Sequence, residues 1–133
     1  MKRILIIATL LLASFTPPLS GDTGIFDQSA AEKYTGEIRN DVPHGKGVME
    51  WTDGRRYEGE WKYGEQDGSG VYQWPGGEIY KGQWREGKWH GQGVYTKANG
   101  TTMSGEWKNG NMWNIEALHP DGTKSYWKNG IPQ

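Results

Sequence analysis

The chain of 133 residues contains no cysteine, which excludes disulfides, thiolate metal sites and a lipid-modified cysteine. It has only two phenylalanines, and Leu118 is the one leucine after residue 20. An ordinary aliphatic core is therefore not available. No apolar run is long enough to cross a bilayer. The longest, Ile4 to Ala13, is ten residues interrupted by Thr9, against the about 20 that a spanning helix needs. Charge of one sign is also lacking, with 15 basic and 16 acidic residues. That balance argues against nucleic acid, whose binders carry a basic patch, and gives no global pull toward anionic lipid.

What the chain does have is 21 glycines, 8 tryptophans and 7 tyrosines. Low aliphatic content usually accompanies disorder, but these aromatics recur too regularly for that. Tyr57-Glu58-Gly59-Glu60-Trp61-Lys62 returns 23 residues later as Tyr80-Lys81-Gly82-Gln83-Trp84-Arg85. The same step back gives Tyr34-Thr35-Gly36-Glu37-Ile38-Arg39, and forward gives Met103-Ser104-Gly105-Glu106-Trp107-Lys108. A fixed period of this size marks an array in which each unit stacks only on its neighbours.

The first 20 residues read as a secretory signal peptide. Met1-Lys2-Arg3 is basic, Ile4 to Ala13 is apolar, and Thr16-Pro17-Pro18-Leu19-Ser20 breaks the run. A signal helix and cleavage near Ser20 are expected, with export to a bacterial periplasm or beyond. Without Lys2 and Arg3, 13 basic and 16 acidic residues remain, a formal charge of −3. Residues 21–33 are expected to cap the array through Ile25 and Phe26. The array occupies 34–133, in units 34–56, 57–79, 80–102 and a degenerate 103–122, with 123–133 as a partial cap. Trp127-Lys128-Asn129-Gly130 follows Trp107-Lys108-Asn109-Gly110 by only 20 residues, and the fourth unit has Asn114 and Glu116 where glycines are due.

Each unit reads as two strands, because apolar and charged residues alternate between Gly-rich turns. Tyr57 to Lys62 and Gly70 to Trp74 are the type examples. Pro75-Gly76-Gly77 fits a three-residue hairpin loop with Gly77 left-handed, and Thr52-Asp53-Gly54 and Ala98-Asn99-Gly100 are its equivalents. Trp51 then closes on Arg55 and Trp74 on Glu78. Counting outward sets Met49 against Tyr57, Gly47 against Gly59 and Gly45 against Trp61. The next unit has Tyr72 against Tyr80, Gly70 against Gly82 and Gly68 against Trp84. Lys46–Glu60, Glu50–Arg56 and Thr96–Thr102 face the other side. A one-residue slip would scramble both faces. Tryptophan is expected to cover its cross-strand glycine, and a side chain at Gly82 to press beside Trp84 and against Gly70.

The pattern Tyr-Xaa-Gly-Glu-Trp-Lys-Xaa-Gly-Xaa-Xaa-His-Gly-Xaa-Gly, carried best by residues 57–70 and 80–93, resembles the MORN repeat (membrane occupation and recognition nexus). The resemblance runs strongly over residues 34–110 and weakly over 111–130. It implies a single-layer twisted antiparallel sheet of stacked hairpins, and roles as scaffold, dimerisation surface, peptide groove or phospholipid contact. Asp67 departs from the usual histidine.

Three rows of polar residues recur with the period. His44, Asp67 and His90 repeat at two-strand intervals of about 9.6 Å, too far to share a metal whose ligands sit about 2.0–2.3 Å away. They are expected to cap turns. Glu37, Glu60 and Glu106, with Gln83 in the series, lie on the polar face in like environments, unlike the two distinct carboxylates of a glycosidase. Arg39, Lys62, Arg85 and Lys108 form a basic row, a candidate anion contact or a solvated stripe. No phosphate loop and no Ser–His–Asp grouping stands out. The ring-bearing face, with Tyr57, Trp61, Tyr72, Trp74, Tyr80, Trp84, Tyr95 and Trp107, is the candidate ligand groove. The expected function is an exported, non-enzymatic scaffold, without cofactor or metal. It would bind a protein or peptide by that groove or a sheet edge, with homodimerisation through either. Carbohydrate or phospholipid-headgroup binding is the alternative.

Overall fold

The computed structural model describes residues 3–7 and 32–133. The strands are β1 (Arg3–Ile7), β2 (Glu32–Arg39), β3 (Val42–Trp51), β4 (Arg56–Lys62), β5 (Glu65–Gln73), β6 (Ile79–Arg85), β7 (Lys88–Thr96), β8 (Thr102–Lys108), β9 (Asn111–Leu118), β10 (Lys124–Lys128) and β11 (Ile131–Pro132). They form one antiparallel sheet in sequence order, with no crossover. No helix occurs among the described residues. Arg3–Ile7 is extended where a signal helix was expected; its isoleucines favour a strand, and β2 offers it an edge. The rest of the leader and the Ile25–Phe26 cap lie outside the described residues, and Glu32 and Lys33 already belong to β2.

Two kinds of turn alternate. In the wider one, Trp51 N–H donates to Arg55 C=O and Gly54 N–H to Trp51 C=O, both at 3.0 Å, so the expected loop closure is found. It recurs at Trp74–Glu78, Lys97–Thr101 and His119–Thr123. The cross-strand pairs counted from that loop all occur. The second turn has only two residues, both at positive φ: Asn40-Asp41, Tyr63-Gly64, Glu86-Gly87, Asn109-Gly110 and Asn129-Gly130. That is the hairpin turn whose twist suits flanking strands. The alternation is read most clearly from Gly70 to Trp74, with Asp67 expected to cap a turn before it. The strand in fact starts at Glu65 and is bent by a bulge between Gly59–Gly70 and Trp61–Gln66.

The bulge explains a second correction. Gly45 and Gly68 lie opposite Trp61 and Trp84, as expected. Their φ values are +85° and +102°, so a side chain there would point at the carboxylates of Glu37 and Glu60 on the polar face, not beneath an indole. The glycines under the rings form another row, Gly36–Gly47–Gly59–Gly70–Gly82–Gly93–Gly105. Tyrosines cover it: the Tyr34 ring lies over Gly47, Tyr57 over Gly70 and Tyr80 over Gly93. A Cβ at Gly82 would meet Gly93 Cα at 2.5 Å and Gln92 O at 2.7 Å, rather than Trp84 and Gly70.

Each buried polar tip is satisfied. Tyr34, Tyr57 and Tyr80 hydroxyls donate to the carbonyls of Glu37, Glu60 and Gln83 at 2.7–2.9 Å. Trp61, Trp84 and Trp107 indoles donate to Gly47, Gly70 and Gly93 carbonyls at 3.2 Å. Such bonds contribute about 1 kcal/mol each. The fourth unit is built differently. Its bulge is one residue shorter, so Ile115, not Glu116, faces Gly105. Ile115, Ala117 and Met103 bury there instead of a tyrosine and glycine. Glu116 turns to the polar side and pairs with Lys124 at 2.9 Å.

Candidate functional site

The ring face covers itself. Tyr57 and Tyr80 are 0% exposed, and Trp61, Tyr72, Trp84 and Trp107 are also buried. Of the eight groove candidates, only Trp74 and Tyr95 remain partly open, packed against the edge of the core. Trp51 and Trp89 share that status. Trp89 was missed because it stands outside the repeating columns. Its equivalents facing the strand before the bulge are Pro43, Gln66 and Met112. Its ring stacks flat on Tyr80, centroids 4.2 Å apart, and meets Tyr95 at 5.0 Å and Trp74 at 5.9 Å. Tyr95 hydroxyl donates to Glu78 at 2.8 Å. On the ring face, Trp74, Trp89 and Tyr95 therefore lie together as one partly open strip where the second unit meets the third.

Burial moves the phenols upward. Desolvation, then the Glu37 charge, pushes Tyr34 to about 12. Desolvation and the hydrogen bond to Glu78 push Tyr95 to about 12. Desolvation raises Tyr57 and Tyr80 further still. All four are neutral donors at any physiological pH.

The polar rows resolve into bulge and turn clips. Glu60 accepts the Ser69 amide at 2.6 Å, Glu37 the Lys46 amide at 3.3 Å, and Gln83 the Gln92 amide at 2.9 Å. An uncharged amide in the same role shows that ionisation is not what this position needs. Glu106 accepts from the Asn114 side chain at 2.7 Å. His44 Nδ1 accepts from Tyr63 N–H, Asp67 from Glu86 N–H, and His90 Nδ1 from Asn109 N–H, at 3.3–3.4 Å. The capped turn belongs to the following unit, so this row couples neighbours. No group of three His, Asp or Glu side chains able to hold a metal exists among the described residues.

Arg39, Lys62, Arg85 and Lys108 are all exposed beside the two-residue turns. Lys108 Nζ sits over the Trp113 ring at 4.3 Å and Lys62 Nζ over Tyr63 at 5.9 Å. Arg39 and Lys62 share a hollow of about 560 Å³ with Glu37, Glu60 and Asp67, so its charge is mixed. A second hollow, about 610 Å³, lies on the polar face beside Lys46, Val48, Glu58 and Ser69. One pairing went unread in the sequence: His119 Nε2 and Ser125 Oγ are 2.9 Å apart. Nearby Asp121 accepts instead from Thr123, N–H at 2.9 Å and hydroxyl at 2.6 Å. Serine and histidine thus lack the aligned carboxylate of a hydrolytic triad, and they sit on an exposed hairpin.

A family model described as MORN repeat matches residues 34–55, 57–79, 80–102 and 104–113. A comparison with curated proteins finds no match.

Proposed function

We propose, for a chain that belongs to the MORN repeat family, an exported and non-enzymatic scaffold that holds a protein or peptide against the Trp74–Trp89–Tyr95 strip. The observation that carries this reading is the unequal exposure of rings that share one face of the sheet. Tyr34, Tyr57 and Tyr80 spend their area on the glycine row, whereas the strip keeps ring surface open with no second layer above it among the described residues. Aromatic side chains offer large contact area at small entropic cost and anchor most protein interfaces. The polar clips leave the carboxylate rows occupied with structure, which supports a binding rather than a catalytic role. Export rests on the basic start, apolar stretch and Pro-Pro break of residues 1–20.

The test compares the mature chain with Trp74→Ala and Tyr95→Ala for what each retains from the native periplasm or medium. A defined protein retained by the parent and lost by both variants, with circular dichroism unchanged, supports the reading. Equal retention by all three contradicts it. Quenching of tryptophan fluorescence by soluble glycans with no protein retained would transfer the strip to carbohydrate. Salt-sensitive sedimentation with anionic vesicles would transfer the role to the basic row.

A further inference from the structure

The two ends of the sheet are unequal. β11 has two residues, Ile131–Pro132, and proline offers no amide, so that edge is blunt. β2 is eight residues long, and its outer edge is occupied by β1, in antiparallel register from Arg3 opposite Gly36 to Ile7 opposite Glu32. Those five residues lie inside the segment expected to leave on export. Its removal uncovers the outward N–H and C=O groups of Glu32–Gly36, which with Glu37–Arg39 then form a continuous open edge, a template for pairing with another chain.

We propose that the uncovered edge of β2 pairs with β2 of a second copy, and that β1 prevents this until the leader is removed. The inference rests on the export reading above. Antiparallel pairing about Thr35 sets Lys33 opposite Glu37 of the second copy and Tyr34 opposite Gly36, each twice by symmetry. Like-facing residues meet, so the two ring faces join into one surface. Neighbouring registers are worse. Centring on Gly36 sets Lys33 against Arg39, centring on Glu37 opposes two carboxylates, and centring on Tyr34 leaves Lys33 opposite Thr35. Opposite charges directly across strands stabilise a pair and like charges oppose it. Lys33 and Glu37 are both exposed.

Because the chain has no cysteine, Thr35→Cys reports the two-fold directly. Residues at a symmetric antiparallel position lie within disulfide reach. Four full-length chains carry Thr35→Cys: parent; Leu5→Pro/Ile6→Pro; that pair with Lys33→Glu; and that set with Glu37→Lys. Sedimentation should give monomer, dimer, monomer, dimer, and oxidation should cross-link the second and fourth but not the first and third. A monomeric proline variant, a dimer indifferent to Lys33→Glu, or a parent that already dimerises would overturn the proposal. A Lys81→Cys control on a central strand should not cross-link; equal cross-linking there would mean random collision and also overturn it. If the proline pair fails to fold by circular dichroism, Leu5→Asp/Ile6→Asp replaces it with the same expected order. The N-terminal mass of the exported chain tests the export reading separately. A retained leader refutes export and leaves the pairing result intact.

Discussion

The first three units and the fourth reach the same sheet by different packing. In the regular units a tyrosine lies over a glycine pair and caps its own hydroxyl on a nearby carbonyl. In the fourth, Met103, Ile115 and Ala117 fill that space, and the bulge is shorter. The regular solution needs a bare backbone, because the ring occupies the volume a Cβ would take. The terminal solution uses aliphatic side chains, and there one glycine of the pair gives way to Ile115, while Gly105, at φ +138°, still has no room for a Cβ against the Asn114 carbonyl. Glycine is thus a packing requirement in the units that carry tyrosine, beyond its use in turns.

The largest effect expected is at the centre of the regular region. Gly82→Val should destabilise the chain by about 3 kcal/mol, since the neighbour it strikes is backbone and cannot rotate away. Urea unfolding followed by tryptophan fluorescence measures this, and a parent-like midpoint would contradict the glycine row. In the terminal unit the sign of the problem reverses. Ile115→Ala should cost about 2 kcal/mol by leaving a cavity, and a loss smaller than that of an exposed substitution would mean the aliphatic plug is not a core.

A smaller effect of opposite sign belongs to the turns. Tyr63 stands 67% exposed at φ +50°, where its equivalents in other units include Asn40 and Asn109. Asparagine tolerates that region better than tyrosine. Tyr63→Asn should therefore stabilise by about 1 kcal/mol, seen as a higher melting temperature, unless the His44 ring at 5.2 Å compensates. A lower melting temperature would show that it does. The smallest change expected is Glu60→Gln, within about 0.5 kcal/mol, because Gln83 already does the same work one unit on. A large loss on thermal melting would mean the charge itself matters.

The register was legible in the sequence, because Pro75-Gly76-Gly77 defines a loop and the 23-residue step then places every pair around it. Which ring covers which glycine was not. Bulges reverse the direction of Gly45 and Gly68, a backbone property that a side-chain count cannot register. The start of β5 at Glu65 was hidden for a related reason: Gly64 and Gly68 on either side of Asp67 suggested a turn there, while the real turn is Tyr63-Gly64, with a tyrosine in a conformation tyrosine seldom adopts. The ring strip was half legible. Trp74 and Tyr95 fell on repeating columns, whereas Trp89 occupies a column that changes residue in every unit.

The most direct test of a ring face closed by its own backbone is an alkaline titration of the tyrosines, followed together with the sheet signal. A phenol whose folded pKa is raised above about 10 contributes its full stabilisation below that pH. The contribution is lost as pH climbs toward and through the folded value. Tyr34, at about 12, and Tyr57 and Tyr80, raised by burial, should thus ionise only in the interval above pH 10 and together with loss of the sheet. Ionisation of every tyrosine near pH 10 while the circular dichroism stays native would show the rings open to solvent and would contradict the account.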